Sequence, residues 1–221
     1  MRALVIAAGE GSRWGDYQGV PKHFARLQGE AVIERIVRLF RPHVEEMIVV
    51  GPDERYALPG TELHIPTHLP EFYEADKFAC SADLWNPEGR TLVLLGDVFF
   101  TQEAARRIVE FDEREWRVFG RFGPSALTGT PWGELFAQSF WPEHLEEHAA
   151  ALVRIADLRQ RKVIGRAAGW EHWRAMNNVP DHLMGQHIQY ERMVEIDDFT
   201  DDIDFPADYD RMVKRLPRRT V

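Results

Sequence analysis

Residues 2–13 read Arg2-Ala3-Leu4-Val5-Ile6-Ala7-Ala8-Gly9-Glu10-Gly11-Ser12-Arg13, and Pro21-Lys22 follows shortly after. Arg2–Ala7 is short, apolar and rich in branched residues, the pattern of a buried strand. Glycines directly after it let the backbone come close to a bound group, and successive N–H groups in such a turn make a nest for an anion. Arg13 and Lys22 add the positive charge that a triphosphate needs. Two common glycine motifs do not fit. A dinucleotide fingerprint needs a third glycine where Trp14 stands, and a P-loop needs Gly-Lys-Ser/Thr at Trp14-Gly15-Asp16.

Working outward, the chain alternates strand and helix patterns. Glu30–Phe40 places Val32, Ile33, Ile36, Val37, Leu39 and Phe40 at helical spacing, and Pro42 stops it. Met47–Val50 and Thr91–Leu95 are apolar strands, with a short extended piece at Glu62–Ile65 between prolines. A helix is expected over Glu74–Trp85, and another from a Thr101 cap to about Phe111. This rhythm predicts an α/β fold: a Rossmann-like, mostly parallel sheet with helices on both faces. Further on, Trp116–Phe122, Glu134–Phe140 and Met193–Ile196 read as strands. Glu143–Lys162 reads as one long helix, and Pro206 opens a last one. One domain over 1–221 is expected, with 115–190 as its variable, acceptor-facing part.

Composition narrows the function. Lys and Arg number 27 against 36 Asp and Glu, a net charge of −9 with pI ≈ 5.5, so nucleic acid is not expected as a partner. No apolar run approaches the ~18 residues of a membrane span, and no secretory signal opens the chain. The one cysteine, Cys80, has no internal disulfide partner. The expectation is a cytoplasmic protein that takes a small anionic ligand.

The glycine loop resembles that of the nucleotidyltransferase superfamily, which includes sugar-phosphate nucleotidyltransferases, cytidylyltransferases and MobA-like NTP transferases. The matching signature is Ala-Gly-x-Gly-x-Arg followed by Pro-Lys, here Ala8-Gly9-Glu10-Gly11-Ser12-Arg13 and Pro21-Lys22. Leu27–Glu34 also looks like the family's lead into its first helix. The resemblance implies the nucleotidyltransferase (GT-A-like) fold. It implies transfer of a nucleoside monophosphate from an NTP, CTP or UTP favoured, to a phosphorylated small molecule, with release of diphosphate. Ala8, Gly9, Gly11 and Ser12 would cradle the triphosphate, and Arg13 and Lys22 would be the cationic catalysts. Lys77 and Ser81 lie in a stretch that often contacts base and ribose in that family. A nucleotide-sugar glycosyltransferase is the alternative, although Asp97-Val98-Phe99 lacks its usual Asp-x-Asp. A nucleotide-binding domain without catalysis is another.

Carboxylates complete the pattern. Asp97 follows the strand Thr91–Leu95, at the sheet edge where ligands bind in open α/β folds. The resemblance makes it a ligand of catalytic Mg²⁺. Residues 195–210 hold eight carboxylates and no basic residue: Glu195, Asp197, Asp198, Asp201, Asp202, Asp204, Asp208 and Asp210. Asp204-Phe205-Pro206-Ala207-Asp208 is similar to a cytidylyltransferase metal segment, which makes Asp204 the second Mg²⁺ ligand and Asp202 the next choice, while Glu195-Ile196-Asp197-Asp198 resembles a metal segment of phosphocholine-type members and keeps Asp197 open as an alternative. Thr128–Glu134 is a turn-rich segment suited to lining an acceptor pocket. Trp170 and Trp173 read as packing residues, and His144 and His148 lie one helical turn apart.

Overall fold

The computed structural model describes residues 1–9, 11–67, 78–165, 169–186 and 192–217. Strands and helices are numbered in chain order. At the centre of the main sheet, β1 (Arg2–Ile6) pairs in parallel with β4 (Glu46–Val50) on one side and β6 (Thr91–Leu95) on the other. Beyond β4 lies β5 (Glu62–His64), also parallel. Beyond β6 come β9 (Glu134–Phe140), β8 (Arg117–Arg121) and β10 (Met193–Glu195). Only β9 runs against its neighbours, so six of the seven described strands of this sheet share one direction. All five β6 residues are buried, as a strand covered on both faces requires.

Helices α1 (Val32–Phe40) and α2 (Gln102–Glu110) pack on each other, as do α3 (Leu145–Gln160) and α4 (Gly169–Met176). The expected Thr101 cap is present: its hydroxyl accepts the Ala104 N–H at 3.0 Å. Helix α5 (Pro206–Arg215) opens at the expected proline. One continuous apolar core joins β1, β4, β6, β8 and β9 to the helices.

Several boundaries differ from the sequence pattern for local reasons. Helix α1 begins at Val32 because Glu30–Ala31 is spent on a hairpin, β2 (Arg26–Leu27) with β3 (Glu30–Ala31). Gln28 and Gly29, at φ +53° and +82°, make the tight turn between them. Pro142 starts a 3₁₀ turn, so α3 begins only at Leu145. Of the helix expected over 74–85, residues up to 77 lie outside the described residues. The described part ends in a 3₁₀ turn at Ala82–Leu84. Helix α4 has no counterpart in the sequence reading; six of its residues besides Gly169 are buried, so it lacks the polar face that marks an amphipathic helix.

Candidate active site

Register brings the first two site elements together. Ile6 lies opposite Leu95, and the Gly96 N–H reaches the Ile6 carbonyl at 2.9 Å, so the glycine loop and Asp97 leave the sheet side by side. Gly96 permits this closeness: a Cβ there would lie 2.8 Å from the Ile6 oxygen and 2.9 Å from the Ala7 Cβ. Gly11 sits at φ +59°, a conformation that side chains disfavour, and its carbonyl accepts the Trp14 N–H at 2.8 Å.

A short ribbon carries the acidic segment to the same edge. β7 (Val98–Phe99) pairs antiparallel with β11 (Asp201–Asp202), and the Ile203 N–H donates to the Asp97 carbonyl at 3.0 Å. Strand alternation then sorts the side chains: Asp201 and Ile203 are fully buried, whereas Asp202 and Asp204 remain partly exposed. Asp204 accepts Arg13 Nη1 at 2.5 Å and Lys22 Nζ at 3.5 Å. Lys22 also forms an ion pair with Asp97. Residues 182 positions apart in sequence thus meet at one ammonium group.

The charges perturb one another. Burial alone would push the Lys22 ammonium down, but Asp97 and Asp204, with help from Asp202, more than offset it and hold its pKa above the usual lysine value. Burial, then Glu134 and the neighbouring aspartates, drive the Asp202 carboxyl well above the ordinary range. Lys22 is 8% exposed and is seated by its neighbours. His23 Nδ1 meets the Tyr56 hydroxyl at 2.9 Å, and Phe24 packs edge-on against the same ring. Gly51 leaves room for that ring, since a Cβ there would lie 2.5 Å from the Tyr56 Cβ.

Trp14, which replaces the glycine of a dinucleotide fingerprint, anchors the loop. It is buried, donates from Nε1 to the Val20 carbonyl at 2.7 Å, and packs edge-on against Tyr17 and Tyr209. Tyr17 in turn donates to Asp210 at 3.0 Å, which ties the loop to α5. Asp208 and Asp198 serve the backbone instead. Asp208 Oδ2 accepts the Phe205 N–H at 2.8 Å and the Asp204 N–H at 3.3 Å, and Asp198 accepts the Thr200 N–H at 2.7 Å. Asp197 is exposed.

Of the predicted site residues, Gly9, Gly11, Ser12, Arg13, Lys22, Asp97, Asp202 and Asp204 gather at this edge, with Ala8 buried at the end of the strand. Ser81 does not join them: it is fully buried, and its hydroxyl donates to the Phe78 carbonyl at 2.9 Å. Lys77 lies outside the described residues. His144 and His148 do not form a chelating pair. His148 turns inward, with Nδ1 at 3.3 Å from Nε2 of buried His172. Trp173 is wholly buried. No described helix is long and apolar enough to cross a membrane.

Asp97, Asp202 and Asp204 offer only oxygen donors, and the Lys22 ammonium stands as a cation between two of them. Among the described residues no ready-made cluster of three metal ligands is found. Mg²⁺ does not require one, since it usually takes one or two carboxylates plus phosphate oxygens. The oxygen donors of this edge therefore fit a hard divalent cation.

Comparison with known proteins places the fold in a family. Residues 3–169 match the MobA-like NTP transferase domain. A 57-residue stretch is 46% identical to the bifunctional IPC transferase and DIPP synthase of Archaeoglobus fulgidus; it spans 26% of this chain and only 11% of that protein. The fold is similar to the inositol-1-phosphate CTP transferase from T. maritima, with TM-score 0.62 and 14% identity over 96% of this chain and 95% of that one. It is also similar to the CTP:phosphocholine cytidylyltransferase from Streptococcus pneumoniae, with TM-score 0.60 and 15% identity over 98% and 99% of the two chains. These likenesses show the α/β nucleotidyltransferase fold. The match over 3–169 covers most of the chain, and the protein belongs to the MobA-like NTP transferase domain family.

Proposed function

We propose that this protein transfers a nucleoside monophosphate from an NTP, CTP or UTP favoured, to a phosphorylated small molecule such as a sugar phosphate or phospho-alcohol. An oxygen of the acceptor phosphate attacks the α-phosphorus, the bond to the β-phosphate oxygen breaks, and diphosphate leaves. The observation that carries this reading is the meeting of Lys22, Asp97, Asp204 and Arg13 beside the glycine loop. The relatives act on inositol 1-phosphate and phosphocholine by their names, which supports a phosphorylated acceptor.

Each residue has a separate task. The backbone around Ala8, Gly9, Gly11 and Ser12 offers N–H groups to the triphosphate. Arg13, more than half exposed, is free to swing from Asp204 onto the outer phosphates. Lys22 is fixed and charged, and stabilises negative charge that builds on the α-phosphate. Asp97 with Asp204, or Asp202, would hold Mg²⁺. When bound, the ion would neutralise charge on the phosphate oxygens. The chain acts as one domain over 1–221, and 115–190 faces the acceptor.

The test is thermal denaturation with CTP, UTP, ATP, GTP or dTTP, each with and without MgCl₂, followed by diphosphate release with a panel of phosphorylated acceptors. A ligand at 100 times its Kd stabilises by about 2.7 kcal/mol. A magnesium-dependent shift with one NTP is expected, and that nucleotide should support diphosphate release. No shift with any NTP overturns the proposal.

A further inference from the structure

The acidic segment contains one carboxylate that points away from the edge and is nonetheless fully satisfied. Asp201 is completely buried. Its Oδ1 accepts Arg121 Nη2 at 2.9 Å and the Asp202 N–H at 3.1 Å. Its Oδ2 accepts the Thr128 hydroxyl at 2.8 Å and also the Ser125 hydroxyl. Four donors on one carboxylate leave little freedom to the strand that carries it.

Two of those donors, Ser125 and Thr128, come from the turn ahead of β9, and Arg121 closes β8 just before it. Ser125 Oγ accepts the Leu127 and Thr128 N–H groups at 2.9 and 2.8 Å. Thr128 gives its proton to Asp201, so in the 2.9 Å contact with Thr130 the Thr130 hydroxyl is the donor. Arg121 spans the base of the turn, donating from Nη1 to the Trp132 carbonyl at 3.0 Å and to that of Gly123. Gly133 keeps the two sides close, because a Cβ there would lie 2.2 Å from the Arg121 oxygen.

We infer that Asp201 is a positioning residue: it clamps the ribbon that presents Asp202 and Asp204 to the turn 123–133, so that the acceptor-facing turn and the cation-facing carboxylates are held as one unit. The ribbon needs such a clamp. It is a pairing of only two residues, with Asp204 two positions beyond its end. Strand alternation makes the inward Asp201 the natural anchor for its outward neighbours. The consequence for the cation rests on the function proposed above; the clamp itself does not.

Thr128→Val removes one of the four donors while keeping side-chain size, and Thr128→Ser restores it. Amide hydrogen exchange followed by mass spectrometry or NMR reads the clamp directly. In Thr128→Val the Ile203 amide should exchange at least ten times faster than in the wild type, while β1 amides keep their protection. The MgCl₂ concentration giving half of the CTP-induced thermal shift should rise at least fivefold, with any shift in EDTA unchanged. Thr128→Ser should return both to within twofold. Asp201→Asn should exaggerate both effects if it folds. Ile203 exchange within twofold of wild type in Thr128→Val refutes the clamp. Faster exchange with an unchanged magnesium midpoint refutes its link to the carboxylates. A wild type that answers to no nucleotide refutes the proposed function, and the exchange result still decides the clamp.

Discussion

Lys22→Met is the sharpest test of the charge arrangement. Methionine keeps the aliphatic stem, so packing is retained and only the ammonium is lost. Lys22 is 8% exposed, and its ammonium sits between Asp97 and Asp204. Removing one member of a buried ion pair typically costs about 3–5 kcal/mol. The lower end applies here, because Asp204 keeps Arg13 at 2.5 Å and its side chain is 24% exposed. At roughly 2–4 °C per kcal/mol for a protein of this size, about 3 kcal/mol corresponds to a fall in Tm of ~6–12 °C. Thermal denaturation in EDTA reads this. Adding MgCl₂ should recover more stability in Lys22→Met than in the wild type, since a divalent cation can replace the missing charge between the carboxylates. Lys22→Met/Asp97→Asn should regain stability in EDTA by removing one of the repelling charges, yet remain without turnover. A Tm for Lys22→Met within about 2 °C of wild type, with no extra response to magnesium, would show that the ammonium does not hold these carboxylates together.

Arg13→Ala should behave in the opposite way. Its exposed ion pair is worth at most about 1 kcal/mol, whereas the loss of a charge-stabilising donor typically lowers turnover about 10²–10³-fold, so Tm should hold while diphosphate release collapses. Gly96→Ala should destabilise by about 1–3 kcal/mol and reduce nucleotide binding, because the new methyl meets the Ile6 oxygen and the Ala7 side chain; urea melts and CTP-induced shifts check both. The buried His148–His172 pair sets an acid limit. Burial lowers the His172 pKa from 6.5 to about 4, so the unfolded chain takes up a proton that the folded chain refuses. Stability from this group is full above pH 6.5 and falls towards pH 4 by about 3 kcal/mol, and urea melts of wild type should steepen over that window relative to His172→Gln. Equal slopes for the two proteins would refute it.

What could be read from the sequence was local, and what could not was the pairing of distant segments. β1 and β6 are apolar runs whose ends are marked by Gly9 and Gly96, so their identity and the exposed edge beyond them follow from short-range pattern. The glycine loop with Arg13 and Lys22 is likewise a single stretch. The eight carboxylates of 195–210 are different. Composition makes them alike, and only the two-residue ribbon with β7 decides which face inward. Once that pairing exists, alternation assigns Asp201 to Arg121 and the hydroxyls of the turn and leaves Asp202 and Asp204 at the edge, while Asp208, in the first turn of α5, accepts the backbone N–H groups of Asp204 and Phe205. Trp14 shows the same limit from the other direction. As a sequence feature it only breaks two glycine motifs, whereas in the fold it replaces the grip that a third glycine gives elsewhere through close helix packing. Its indole fastens the loop to Tyr17 and Tyr209, and through Tyr17 to Asp210 on α5. The acidic C-terminal segment therefore meets the glycine loop twice, once through Asp204 on the charges and once through α5 on the backbone that carries them. Asp210→Ala, which removes only the Tyr17 contact, should therefore lower diphosphate release through the loop that carries Arg13 while leaving Tm within about 2 °C of wild type, and unchanged turnover would show that the α5 contact does not position the loop.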